Sequence, residues 1–550
     1  MSELLVDQEA ERPPLVEKDE FGLDKLTEAG KHRVAEYVTD VEGDVYALTN
    51  MSEEMAAAAI ARLSRSPEGV RVVLAREFID QEENVRAVAN RIVNDFGDDS
   101  VKQVGGGMKM VVENASNLLT KYLEWGRLAG YIEQSTRYIF FDRRDSDGRY
   151  RYHTPATLDQ PTKFEFEKFA DSTFDDYSTA VRGITQHLRD TMERPDGLTD
   201  DGWKTLTRTQ ACDAARLLLP VATKAIVGIT GSAHAYENMI INLMSSDNAE
   251  ARHAGENILR EGRKIIPVLL AKTDSPDRGG AISAYKAQTR QTMRQLSPRQ
   301  ELEPQTLPSE AKLLDYSPSH ELSLLPDMMY RFSNMNIEQL ERELAEWSED
   351  DILNAFTAYM GERNNRRHRP DRAIEVAQYV WDIVCDYGIF RDLQRHRMVD
   401  GLEWQDLHPY FGYELPPRLV ESGYSDLANE VFENSLKQYE LLSARGYGDE
   451  AQYATLLGHK MRWKMAFNAR EAFHLLELRT QPAGHAGYRK LCLEMYRAIE
   501  KVHPNLAKAM IFINTEGGSV EQTRLGEIRA NERRRQLLGG VAIDYDSSDI

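Results

Sequence analysis

Cysteine is scarce in this chain. Its 550 residues include three, Cys212, Cys385 and Cys492, far apart and without a CxxC pair. That excludes a disulfide framework and a cysteine-based zinc site, and it fits a reducing compartment, so a cytoplasmic location is expected. Long apolar runs are lacking too. The most apolar stretch, Ala214 to Ala235, carries Arg216, Lys224 and His234, and it reads as a buried helix, not a membrane span. The chain starts with alternating acidic and apolar residues and has no basic stretch ahead of an apolar one, so no secretory signal is expected. Positive charge is outweighed, with Lys+Arg 68 against Asp+Glu 89 and a net charge of -21. Such a surface repels nucleic acid and anionic membranes at long range, yet a local arginine cluster can still hold a small anion. No metal site and no nucleic-acid motif stands out.

What is present is length and helical patterning. At about 150 residues per domain the chain fits three or four units, or two larger ones. Either size buries a core without cross-links. Residues 1–44 are charged and weakly periodic and read as an N-terminal arm. Residues 276–311 hold Gly279-Gly280, Pro298, Pro304 and Pro308 and read as a linker. Residues 526–550 read as an acidic tail. Between them lie two mostly helical regions, 45–275 and 312–525, and an internal repeat can be read across them.

In the first region, Glu133-Gln134-Ser135-Thr136-Arg137-Tyr138 alternates carboxylate, hydroxyl and guanidinium. In an extended segment these project from one face. Such a row suits a nucleotide, because arginine grips phosphate and glutamate accepts from a sugar hydroxyl. It equally suits a solvated strand edge. In the second region, Arg366-Arg367-His368-Arg369 precedes Arg395-His396-Arg397. These clusters fit a pyrophosphate, or salt bridges to the many carboxylates. Further on, Asn468, Arg470, His474 and Arg479 interrupt an otherwise apolar helix from Trp463 to Leu478. Buried arginines are rare unless paired. They either pair with Glu471 and Glu477 or line a cofactor cleft.

Together these residues resemble the flavin-dependent thymidylate synthase family. Its pattern is R-H-R-x-x-S-x-N-E-x-S-x-R-Y, then A-R-x-x-L-P, N-A-R and L-R. In the first region Arg127, Glu133, Ser135, Arg137 and Tyr138 match, as do Arg216 and Pro220, while Ser232-Ala233-His234 and Leu243 replace N-A-R and the last Arg. In the second, Arg395-His396-Arg397, Glu403, Asn468-Ala469-Arg470 and Arg479 match, while Asp400, Leu402, Gln405, Leu407, His408, Gln452 and Leu456 depart.

The resemblance implies an α+β fold in tandem duplication, helix-rich with an antiparallel sheet in each half. It implies nucleotide contacts for Glu133, Ser135, Arg137 and Arg216. It implies FAD contacts for Arg395, His396, Arg397, Asn468 and Arg470, and activation of the uracil ring by Arg479. The implied reaction methylates deoxyuridylate to thymidylate with methylenetetrahydrofolate and NADPH. Family active sites resemble clefts shared between subunits. Complementary losses in the two halves therefore point to a fused pseudo-dimer with one composite site, assembled as a homo-oligomer, a dimer of pseudo-dimers. The alternatives are a related pyrimidine-modifying flavoenzyme, a non-catalytic binding relative, or a helical scaffold with salt-bridged arginines.

Overall fold

The computed structural model describes residues 13–63, 66–81, 107–145, 147–265, 270–515, 525–526 and 528–529. Most of the expected acidic tail lies outside the described residues. The fold is helix-rich with small antiparallel sheets, an α+β arrangement.

Strands β1 (Val16–Lys18) and β2 (Asp24–Leu26) pair with each other. Strands β3 (Val45–Ala47), β4 (Met108–Ser116), β5 (Gly130–Glu133) and β6 (Lys224–Gly231) form a sheet in the order β3-β4-β6-β5. Strands β7 (Glu310–Ser317), β8 (Gln378–Asp386), β9 (Val399–Trp404) and β10 (Lys460–Asn468) form a second in the order β7-β8-β10-β9. The two orders are the same. The helices used below are α1 (Asn117–Leu123), α2 (Gln160–Thr191), α3 (Asp200–Ala215), α4 (Ala233–Met244), α5 (Ala249–Ile265), α6 (Gly279–Leu296), α7 (Tyr387–Gln394), α8 (Ser425–Ala444), α9 (Ala469–Arg479) and α10 (Ala486–Val502).

Period-two burial explains the central strands. In β10, Met461, Trp463, Met465 and Phe467 are buried while Lys464 between them is exposed. Trp381 of β8 stacks on Phe467, with ring centroids 5.9 Å apart. At Asn468 the pattern breaks and α9 begins. The expected helix from Trp463 is therefore a strand up to Asn468, because alternation within an apolar run is easily mistaken for a helix face. The same holds for Ala214 to Ala235. That stretch contains the end of α3, strand β6, which is buried along nearly its whole length, and the start of α4.

Polar caps end β4, β6, β8 and β10 and start the helix that follows each. Ser116 accepts from the Leu119 amide at the start of α1, and Asp386 from the Ile389 amide at the start of α7. Ser232 and Asn468 do the same for α4 and α9. Each cap satisfies an otherwise orphaned helix N–H.

Two units divide the chain. Among the described residues, one comprises those within 13–159 and 222–298, and the other those within 160–221 and 299–529. Helices α2 and α3, though they precede β6 in sequence, therefore belong to the unit built on β7–β10. Packing explains this. The long α2 buries Phe166, Phe174, Tyr177 and Val181, and Arg445, just past α8, bonds Thr162 of α2 at 2.9 Å. In the same unit, residues 217–221 run antiparallel to residues 455–458. Val221 N donates to the Thr455 carbonyl at 2.7 Å and Gly458 N to the Leu217 carbonyl at 2.9 Å. The bridge pairs Pro220 with Leu456, which hold equivalent places in the repeated motif.

Two expectations about the connections differ from the structure. The described part of the N-terminal arm holds β1, β2 and a helix (Glu28–Val34), because Val34 and Val38 sink into the core around Tyr46 and Ile60. The segment read as a linker holds the 18-residue helix α6. Glycines and prolines mark only its two ends, and the Ala-, Gln- and Arg-rich middle is good helix-forming sequence.

A Cβ on Gly458 would lie 2.7 Å from Leu217 Cβ and 3.0 Å from the Leu217 carbonyl oxygen. Gly458→Ala is expected to lower unfolding stability by about 1–3 kcal/mol in urea titration. Gly448→Ala, where a Cβ meets nothing within 4 Å, should stay within about 0.5 kcal/mol of the parent.

Candidate functional site

The second unit gathers charged side chains at the ends of α7 and α9. The C-terminus of α7 presents Arg395-His396-Arg397, and the last turn of α9 presents Arg479. His396 and Glu471 are buried. His396 Nδ1 lies 2.9 Å from Glu471 Oε1. Arg479 Nε donates to His396 Nε2 at 2.9 Å. A guanidinium only donates, so Nε2 must offer its lone pair. The ring proton is then on Nδ1 and is donated to Glu471. Arg479 also donates through Nη2 to the Asp392 carbonyl at 2.5 Å, and its guanidinium lies over the Tyr488 ring.

The energetics agree with that proton placement. Burial, then the nearby Arg479 and Arg395 guanidiniums, pushes His396 well below the usual imidazole range. Burial pushes Glu471 up to about 7, offset in part by His474 and by Arg369, Arg470 and Arg479. His396 and Glu471 thus form a hydrogen bond with a neutral imidazole, not an ion pair. His474, one helical turn after Glu471, has its ring centroid 5.4 Å from that of His396.

His396, Glu471 and His474 have the residue types of a metal site, with ligand atoms within 4.8 Å of one another. The bonding argues against a cation here. Both His396 nitrogens are already engaged, and the guanidiniums of Arg369, Arg470 and Arg479 act on Glu471. Ligation would break the Arg479 bond and place a cation among cations.

Asp392 is a second junction. Its Oδ1 accepts from Arg395 Nη2 at 2.9 Å, and its Oδ2 lies 3.8 Å from Arg216 Nη1. Arg216, from the first half of the sequence, is 6% exposed, and its Nη2 has no hydrogen-bond partner. Gly388 makes room for it, since a Cβ there would approach Arg216 Nη2 to 3.3 Å.

The other expected site residues are placed as follows. Arg470 donates from Nε to the Pro370 carbonyl at 3.1 Å and lies 3.6 Å from Glu375. Asn468 spends its carboxamide oxygen capping α9. Arg397 is half-buried. Glu133, Ser135 and Arg137 belong to the first unit. Glu133 ends β5 and is buried. The run then turns instead of staying extended, because Ser135 Oγ accepts from the Arg137 amide at 3.2 Å. So one unit brings together Arg216, Arg395, His396 and Arg479. Glu477, expected as a partner for the arginines of α9, is instead held bidentately by Arg363, at 2.6 Å to each oxygen.

Sequence reasoning missed the parts played by Asp392 and His474, and it treated Glu471 only as an arginine partner. Asp392 lies one turn before Arg395 and His474 one turn after Glu471, a spacing that places each pair on one helix face. The equivalents in the other half are closed. Gln452, in the place of Arg216, accepts from the Leu407 amide at 3.1 Å, and Leu407 stands where Arg137 does. Leu243, in the place of Arg479, is a core residue.

The sequence profile of the family described as "Thymidylate synthase complementing protein" matches residues 45–268 and 312–505. A UPF0159 protein of Chlamydia muridarum is 28% identical over 525 residues, covering 92% of this chain and 98% of that protein. A UPF0159 protein of Thermoplasma acidophilum is 26% identical over 515 residues, covering 88% and 99%. Among solved structures, a UMP/dUMP methylase PolB from Streptomyces cacaoi bound with 5-Br dUMP aligns with 38% of this chain and 98% of its own, at 17% identity and a TM-score of 0.30.

Two of the ionisable groups of α9, His474 and Glu471, pull stability in opposite directions. Burial holds His474 down at about 4, against an ordinary 6.5. Its contribution is present above 6.5 and is lost as pH falls toward 4. Glu471 is raised from 4.5 to about 7, so its contribution is present below 4.5 and is lost as pH rises through 7. Between about 4.5 and 6.5 the slopes oppose each other. Glu471→Gln removes the second slope. Its unfolding free energy should fall on acidification by up to about 1.4 kcal/mol per pH unit more steeply than the parent's, measured by urea titration at pH 6.5, 5.5 and 4.5. Parallel curves would contradict the assignment.

Proposed function

The chain belongs to the thymidylate synthase complementing protein family, and from that premise we propose that it methylates deoxyuridylate to thymidylate, with methylenetetrahydrofolate as carbon donor, FAD as cofactor and NADPH as reductant. The proposal includes the tandem duplication of the family's fold. It is supported by the two separate family matches and by the identical strand orders of the two sheets. The observation that carries the functional reading is Arg216. A buried guanidinium with an unpartnered donor is costly unless something completes it, and it sits beside Asp392 and Arg395 of the other half. A nucleotide phosphate has the charge and acceptors to complete it.

In this reading Arg216 grips the phosphate. Arg479 stabilises the negative charge that develops on the uracil ring as C5 becomes nucleophilic. Its two hydrogen-bonded partners are a carbonyl and a neutral imidazole, so its positive charge is not cancelled by them. Such preorganised charge commonly supplies several kcal/mol of transition-state stabilisation. Nucleotide contacts for Glu133, Ser135 and Arg137 remain part of the proposal on the resemblance alone.

The flavin set fits in part. The half-buried Arg397 and Arg470 and the exposed Arg369 suit a diphosphate, and Arg397 and Arg470 would hold FAD. His396 has no ring nitrogen left to offer it. When bound and reduced, FAD supplies the hydride for the transferred carbon. A second reading, a non-catalytic flavin- and nucleotide-binding relative, is favoured by Asp392. Its carboxylate competes with a phosphate for Arg216 and Arg395.

Purified protein is expected to show a flavin spectrum. It should also release tritium from deoxyuridylate labelled at C5 when given methylenetetrahydrofolate and NADPH. Arg479→Ala should cut that rate at least about 100-fold. Bound flavin without tritium release supports the non-catalytic relative, and the absence of both removes the family's chemistry from this chain.

A further inference from the structure

We propose that Glu471 is a positioning residue that aims the Arg479 guanidinium by fixing the proton of His396. An arginine side chain has four rotatable bonds, and holding it in one pose costs conformational entropy. Here the pose is set by two acceptors, the Asp392 carbonyl and His396 Nε2. The carbonyl is fixed by α7. The imidazole is not fixed by its own chemistry, because a neutral histidine can carry its proton on either nitrogen. With the proton on Nε2, two donors would face each other and Arg479 would be expelled. Glu471 decides the matter. Its Oε1, 2.9 Å from Nδ1, draws the proton there and leaves Nε2 free to accept.

Glu471 is itself held in place. It stands in the first turn of α9, and its amide is tied to Asn468, the residue that caps the helix. The groups facing this chain of bonds are His474, Arg369 and Arg470 around Glu471, and Arg395 and Asp392 around His396. None of them stands between Glu471 and Arg479 in the hydrogen-bonded path. Within the proposed reaction, on which its consequence for catalysis rests, this makes His396 a strut for Arg479 and not a contact for the flavin. The first half has no such strut. Leu243 stands in the place of Arg479 and Asn238 in that of His474, and the position of Glu471 is Ala235.

The experiment uses the full chain with ¹⁵N-labelled histidine and arginine. The His396 signals are assigned by their loss in His396→Gln. Parent protein is expected to show a protonated Nδ1 and an unprotonated Nε2, with slow solvent exchange at the Arg479 Nε–H. A proton on Nε2 in the parent overturns the proposal, whatever any variant does. In Glu471→Met the tautomer should be lost, the Nε–H should exchange at least tenfold faster, and deoxyuridylate affinity by calorimetry should fall at least tenfold. Glu471→Gln keeps an oxygen that accepts from Nδ1 and should be rescued to within about threefold. A merely structural glutamate would lower the melting temperature and leave tautomer, exchange and affinity unmoved, and that result also overturns the proposal. If the parent binds no deoxyuridylate, the nucleotide reading fails. The strut is then judged on tautomer and exchange alone, and unchanged exchange in Glu471→Met sinks it.

Discussion

A guanidinium taken out of water has to be met by acceptors, and the second unit is organised around that requirement. Its arginines are met in two different ways. Arg363 is clasped bidentately by Glu477, so charge is cancelled inside a tight fork between α9 and the loop that follows helix Glu349–Met360. Arg479 is met by a neutral imidazole and a backbone carbonyl. The first arrangement only holds the fold together. The second keeps a net positive charge in a half-buried place, where it acts more strongly on a neighbouring charge than it would in bulk water. The partner, more than the residue type, separates a structural arginine from one able to stabilise an anion.

The frame that delivers these side chains is simple. A strand ends, a polar residue caps the next helix, and the helix carries its charged residues to a fixed place. Asp386 does this for α7 and Asn468 for α9, with Ser116 and Ser232 in the corresponding places of the first unit. A family motif residue can therefore keep its position for a local reason. Asn468 is needed to start α9 whether or not it also touches a ligand, and Ser232 serves the same end in the half where His234 and Leu243 stand in the places of Arg470 and Arg479.

Loss in each half has left packing intact. Where Arg479 has no counterpart, Leu243 fills the space with apolar volume, and where Arg216 has none, Gln452 turns its oxygen to the Leu407 amide. Both replacements satisfy the interior without a ligand. Arg216 is not so satisfied, since one of its nitrogens is buried without a partner and its nearest carboxylate is shared with Arg395. The two halves thus differ in whether the interior at this position is filled.

The chain by itself determined the family, the duplicated motif order and most of the residues that gather in the second unit. These are carried by residue types at short, fixed spacings, and such spacings survive in a linear text. It also showed complementary departures from the motif in the two halves. It did not distinguish strand from helix in Trp463–Asn468 and Ala214–Ala235. In β6 the run is buried on both faces and carries no decisive period, and in β10 a short alternation runs straight into the apolar face of α9, so only the partner strands decide between the two. It did not show that α2 and α3 pack with the second sheet, because that depends on which faces bury each other across hundreds of residues. Nor did it show what each buried charge meets. Glu477 was within reach of several arginines by spacing, and tertiary packing gave it to Arg363. His396 had the type of a ligand contact, and only the geometry of Glu471 and Arg479 around its ring decided where its proton sits. Proton position depends on distances of about 3 Å between groups far apart in sequence, and no linear pattern encodes those distances.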